Sequence, residues 1–323
     1  MFPLKSLPQT SNQSGFTLLE LVLVMFIIAL VASTPLLFID EQDQQLRYEE
    51  TKEKIRLIKN ALLHQKTYRD MPLFSGFIID NGVLPSASTA DLLANSTNWS
   101  ETWLSSGIVH PYFQTNTDSG DLSNFDIRKG HIGTYITSFT DSDGALKDSW
   151  GNDFSFTVNA SEGASASLAI TATPPPSVVT YPEIRKELHS EEWQITLSDL
   201  NILLSTNSSE ASTHVAALLI FKNQEAITNQ DYWSTYHFTA VVPAAVTDVS
   251  GGLLSLGRFS SKSAVWYRND ESTALTASST YIPAGEHLLI LDPETSLTPD
   301  TAIYEYINVI PGAPQPTITL KVN

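Results

Sequence analysis

The residues best placed to do chemistry stand near the start of the chain. Glu20 lies inside the apolar run 16–39, which is about long enough to cross a hydrocarbon core as a helix. An ionised side chain at membrane depth costs at least ~2.5–3.5 kcal/mol on insertion scales, so this acid needs a partner. Cutting the Gly15–Phe16 bond would free an amine on Phe16, a cation in the same stretch. Facing each other on neighbouring copies at ~4 Å, in an effective dielectric near 20, acid and amine attract by ~4 kcal/mol before desolvation. The positive end of the helix dipole also favours an acid in the first turn. Two other readings compete: pairing with the amine of the same copy, one helical turn away, and an uncleaved signal anchor whose Glu20 sits near the headgroups.

Elsewhere the chemistry is thinner. The chain has no Gly-x-Ser-x-Gly elbow, no His-Glu-x-x-His pair and no phosphate loop. His64, His110, His131, His189, His214, His237 and His287 are scattered without ligand spacing. No catalytic, cofactor-binding or metal-ligating residue is assigned, and the chain is expected not to be an enzyme. Asp118, Asp121, Asp126, Asp141, Asp143, Asp148 and Asp153 crowd one region. Their hard oxygens could ligate calcium, or they could simply form a solvated acidic loop. Trp99 with Trp103, Tyr232 with Trp233 and Tyr236, and the pair Trp266-Tyr267 could stack on sugar rings or pack in a core.

Composition bounds the partners. The 323 residues carry a formal net charge of -17. That argues against nucleic acid, which demands a basic footprint. There is no cysteine, so thiol chemistry and disulfides are excluded, and the fold must hold by core burial.

The run Gly15-Phe16-Thr17-Leu18-Leu19-Glu20 and the aliphatic stretch after it resemble the prepilin signal of type IV pilins and type II secretion pseudopilins. Gly15, Phe16 and Glu20 are in register with that family's cleaved glycine, methylated first residue and fifth-position glutamate. The resemblance implies a leader, residues 1–15, removed by a prepilin peptidase ahead of the apolar core. A secretory signal would be cut after it. It also implies a single-pass anchor in the bacterial inner membrane, with the bulk of the chain in the periplasm. The implied partners are other pilin or pseudopilin subunits, the assembly platform and membrane lipid, with Phe16 and Glu20 as the assembly pair. A second resemblance covers residues 71–173. Residues 77–93 are similar to the Leu-Pro turn and small helix that follow the spine helix of pseudopilins. Trp150-Gly151-Asn152 is similar to their strand–loop–strand turn, with Ser149 and Asp153 where the family has prolines. The calcium loop that follows this turn in many pseudopilins has no counterpart here.

The elements that must position these residues follow from periodicity. After the transmembrane segment 16–39, in which Pro35 should kink or open the helix, residues 40–70 read as an amphipathic helix. Tyr48, Thr51, Ile55, Ile58 and Leu62 form its apolar stripe, and Lys52, Glu53, Lys54, Arg56 and Lys59 its wet face. Gly151 and Asn152 suit a tight turn, and Trp150 is expected to plug the core. Strands are expected over 154–158 and 168–171. The proline run in 174–182 reads as a stiff linker. Beyond it, residues 183–323 carry strand patterns at 193–197, 215–221, 236–242, 264–267, 288–291, 303–309 and 317–322, which suggest a β-sandwich. The expected fold is α+β: a long N-terminal transmembrane and amphipathic helix on a small pseudopilin-like head, then an all-β domain. The expected function is a minor pilin or pseudopilin-like filament subunit. The alternative is a tip adhesin or binding module displayed on the same anchor, and a third class is a membrane-tethered hydrolase, which needs a polar cleft with converging carboxylates.

Overall fold

The computed structural model describes residues 17–68, 71–85, 89–93, 134–137, 145–160, 163–176, 181–221, 233–268, 272–292 and 303–322, and of 32–40, 66–68, 71–73, 90–91, 221 and 233 the backbone alone. Gly15, Phe16, Trp99, Trp103, Tyr232 and the aspartates at 118, 121, 126, 141 and 143 lie outside the described residues. The chain divides into two compact units, Met1–Glu50 and Thr51–Asn323.

Helix α1, Leu18–Leu62, is common to both units and does not end at Pro35. One proline removes a single ladder bond, which neighbouring bonds outlast. In the second unit Thr51, Ile55, Ile58 and Leu62 are buried, as their spacing requires, while Lys52, Glu53 and Arg56 are exposed. Arg56 donates to Glu53 one turn back, Nε to Oε2 at 2.8 Å. The apolar period stops at Leu62, and so does the helix. Residues expected to carry it to 70 instead form strand β1, His64–Tyr68, antiparallel to β2, Met71–Ser75. Thr67 and Tyr68 favour a pleated backbone, and Pro72 cannot continue a helix.

Gly76 opens α2, Phe77–Asn81, at φ 119°. A Cβ there would lie 2.7 Å from the Ala61 carbonyl oxygen and 2.8 Å from that of Leu62. Only glycine lets the end of α1 and the start of α2 touch through their backbones. After Leu84-Pro85 comes the small helix α3, Ala90–Leu93. Strands β3, Ser155–Ala160, β4, Ser167–Ala172, and β5, Ile184–His189, form one antiparallel sheet in that order. The expected linker 174–182 therefore does not separate two modules. It connects β4 to β5, with Ile184 opposite Ala172. Prolines lack the donor a ladder needs but are tolerated in such a connection.

Helix α4, Ser190–Trp193, follows directly, so the strand expected from 193 shrinks to β6, Gln194–Thr196. Then come β7, Asn201–Thr206, β8, Ser212–Phe221, β9, Trp233–Val242, β10, Val246–Thr247, β11, Leu253–Ser255, and β12, Gly257–Ser260. The last are β13, Trp266–Arg268, β14, Ala274–Leu275, β15, Tyr281–Pro283, β16, Gly285–Leu291, β17, Ile303–Val309, and β18, Thr317–Val322. Six of them form a sheet in the order β14-β13-β9-β8-β16-β17. Three more form β12-β7-β18, with β18 parallel to β7. Leu218, Phe238, Leu289 and Val309 of the large sheet share one core with Leu204, Leu320 and Val322 of the small one. The opposite face of β8 and β16, formed by Ala217, Leu219, Leu288 and Ile290, is buried as well, and α2 packs against β16. Central strands covered on both faces read as continuous apolar runs rather than alternating ones, as Ala216-Ala217-Leu218-Leu219-Ile220 does.

Two measurements check this packing. Replacing Gly76 with alanine should cost roughly 2–3 kcal/mol in thermal or urea melts of the full chain in detergent, because strain and a backbone clash coincide. Arg56 holds the exposed Glu53 carboxyl below the usual glutamate value by hydrogen bonding first and charge second. Its helix-favouring contribution is therefore present above the ordinary glutamate range and lost as pH falls through the lowered value. Helix content read by circular dichroism should show a small acid-side loss that Glu53→Gln abolishes and salt mimics.

Candidate assembly site

The N-terminal site is built on the first turns of α1. Thr17 stands just before the helix, and its Oγ1 accepts the Glu20 backbone N–H at 3.3 Å. The Glu20 N–H also donates to the Thr17 carbonyl at 3.0 Å. Thr-x-x-Glu is the spacing of a capping box, with the threonine half made here. Thr17 is thus a positioning residue, signalled in the sequence by this spacing.

Around Glu20 the helix is apolar on every side. Leu18, Leu19, Leu21, Val22, Leu23, Val24, Met25, Phe26, Ile27, Ile28, Leu30 and Val31 are all exposed, from 82% at Leu18 to 42% at Val24. A helix hydrophobic all round is stable only when something covers it. Among the described residues no hydrogen bond or ion pair reaches the Glu20 carboxylate. Among them, too, no helix is long and apolar enough to cross a membrane. The apolar part whose side chains are described, residues 18–31, rises only about 21 Å, against a hydrocarbon core of about 30 Å.

Residues 10–34 match the family model described as a prokaryotic N-terminal methylation motif. The N-terminus carries a type IV pilin-like processing motif. The matched span contains Gly15, Phe16 and Glu20. No curated protein matches the chain, and no solved structure does. The pilin-type motif marks a precursor processed by a prepilin peptidase and assembled with other pilin-type subunits, a membrane-anchored or filament protein.

The second expected site, the turn at Trp150, Gly151 and Asn152, is organised by a residue before it. Asp148 is 3% exposed. Its Oδ1 accepts the backbone N–H of Trp150 at 2.9 Å and of Asn152 at 2.8 Å, and its Oδ2 accepts the Asn152 side-chain amide at 3.3 Å. Its own N–H donates to the Asn152 carbonyl at 2.9 Å. Gly151 takes φ 87°, which the turn requires. The backbone N–H of Ser149 donates to Thr51 Oγ1 at 3.1 Å, joining the turn to α1. Trp150 is only half-buried, not the core plug expected. Leu146 and Phe154 take that place, because the turn aims its middle residues outward.

Asp148 is thus committed to the turn, and Asp153 pairs with Lys147 at 2.6 Å. Among the described residues no cluster of three or more histidines or acids could hold a metal ion. Of the aromatic candidates, Tyr236 and Trp266 are in the core, with Trp266 edge-on to Phe238 at 4.7 Å between ring centroids, so these two form no exposed sugar platform. Tyr267 stacks on His237 at 5.7 Å.

Asp148→Ala should destabilise the chain by about 1–3 kcal/mol, since it strands the part-buried backbone N–H groups of Trp150 and Asn152. Asp148→Asn keeps an acceptor oxygen and should lose less. Urea midpoints of the two variants against the parent chain check the order.

Proposed function

We propose that this chain is a minor pilin- or pseudopilin-like subunit of a type II secretion or type IV pilus filament. The peptidase cuts between Gly15 and Phe16, and the new amine on Phe16 is methylated. The remaining helix anchors the chain in the bacterial inner membrane with the bulk in the periplasm. The helix then leaves the membrane by packing laterally against the first helices of other subunits.

One observation carries this reading: a solitary carboxylate, with no partner among the described residues, inside an exposed apolar helix that carries the methylation motif. Pairing Glu20 with the Phe16 amine of an adjacent subunit offsets the cost of holding it at membrane depth and sets the stagger between helices. The β-rich unit Thr51–Asn323 would crowd a close-packed fibre if every subunit carried it, which supports a low-copy or tip position.

Mass spectrometry of the chain from its native host should find a mature N-terminus at a methylated Phe16. Glu20→Ala should leave membrane insertion intact and lower recovery in the sheared filament fraction at least tenfold, which corresponds to about 1.4 kcal/mol of lost pairing. Retention of the initiating methionine, or normal recovery of Glu20→Ala, would overturn the proposal.

A further inference from the structure

We infer that Ser212, His214 and Asp292 form an acyl-transfer centre in which Ser212 attacks a small carboxylic ester. The inference goes beyond the filament reading and does not depend on it. Ser212 and His214 stand two residues apart on β8, so their side chains leave the same face of the sheet. Asp292 follows β16 immediately, one residue past the Leu291–Ala216 pair that joins β16 to β8. Strand pairing thus brings together residues about eighty positions apart in sequence.

The geometry is that of nucleophile, base and orienting carboxylate. His214 Nδ1 lies 2.6 Å from Asp292 Oδ2, and His214 Nε2 lies 2.7 Å from Ser212 Oγ. An ionised carboxylate only accepts, so Nδ1 carries the proton. In the neutral imidazole that leaves the Nε2 lone pair facing the serine hydroxyl, which is the tautomer a general base needs.

Asp292 is held hard in place. Its φ is 48°, the one positive value at a non-glycine position among the described residues. Its backbone N–H donates to the Val215 carbonyl at 2.7 Å, and its Oδ1 accepts the Val215 N–H at 2.9 Å. The strand that carries the histidine therefore also fixes the carboxylate, and a strained backbone maintained in this way is a mark of functional positions. Ser212 is half-buried, and the His214 and Asp292 side chains are 12% and 32% exposed. The serine is thus partly open to solvent while the imidazole stays largely shielded.

The step balances without any further reagent than water. Ser212 Oγ bonds to the ester carbonyl carbon as its proton passes to His214 Nε2. The carbon–oxygen bond to the alcohol portion breaks, and the departing oxygen takes that proton and leaves as the alcohol. Water then attacks the acyl-serine, giving one proton to Nε2. The acid is released and the proton returns to Ser212.

The test uses the full chain in detergent and an alkyl fluorophosphonate, which phosphonylates an activated serine with loss of fluoride. Peptide mapping should place one adduct on Ser212, and prior labelling should abolish release of p-nitrophenol from p-nitrophenyl acetate. Ser212→Ala should remove both signals. His214→Gln should slow labelling at least about 100-fold with an unchanged melting profile. Asp292→Asn, close in volume, should slow it at least about tenfold, so one of the two variants decides the point if the other fails to fold. No adduct at Ser212 in the parent chain under conditions that label a control serine hydrolase would overturn the inference. Labelling of a folded His214→Gln or Asp292→Asn chain at the parent rate would overturn it too.

Discussion

One helix has to satisfy two surroundings. The backbone of α1 meets its own hydrogen-bonding needs from Leu18 to Leu62, so it can run from an apolar phase into a wet one without stranding a polar group. Its side chains cannot. Along 18–31 they are apolar on every side and exposed. Along 51–62 one apolar stripe is buried, and the other face carries charge. The first part needs a cover that the described residues do not give it. The second part is the frame on which neighbouring elements rest. Gly76 touches its last carbonyls, the turn at Asp148 bonds to Thr51, and Lys59 pairs with Glu192 of α4 at 2.5 Å.

The β-rich region depends on a related economy of surface. Strands β8 and β16 are covered on both faces, by the small sheet on one side and on the other by a layer to which α2 contributes. That arrangement explains why the region around the proline run is not a boundary. A spacer would leave the second face of the large sheet wet, although Leu219, Leu288 and Ile290 are apolar there. Burying them is worth more than the freedom of a hinge, at about 25 cal/mol for each Å² of apolar area removed from water.

Chemistry is placed apart from this packing. Glu20 stands where no core protects it, capped from below by Thr17. Asp148 makes the opposite choice: its charge is buried and consumed by backbone donors, so it shapes a turn and is not offered to a ligand. Asp292 lies between the two, fixed by backbone bonds yet still reachable.

Local pattern was enough for the helix stripe at Thr51, Ile55, Ile58 and Leu62, and for the alternation of Ile318, Leu320 and Val322 in β18. It was enough also for the pilin-type start, because that motif is read along a continuous run of residues. These signals are periodic or contiguous, so neighbours alone define them. The helix end at Leu62, the role of Asp148, the half-buried Trp150 and the return of β5 to β4 were not legible in that way. Each depends on a partner far along the chain: β2 for β1, Thr51 for the turn, β4 for β5. The meeting of His214 with Asp292 is the extreme case, since only strand pairing decides which distant side chains share a hydrogen bond. The amino-acid order by itself determined what must be apolar, charged or bent, through short-range sterics and solvation. Tertiary structure alone decided which of those residues meet, because long-range contacts are chosen by how whole faces cover one another.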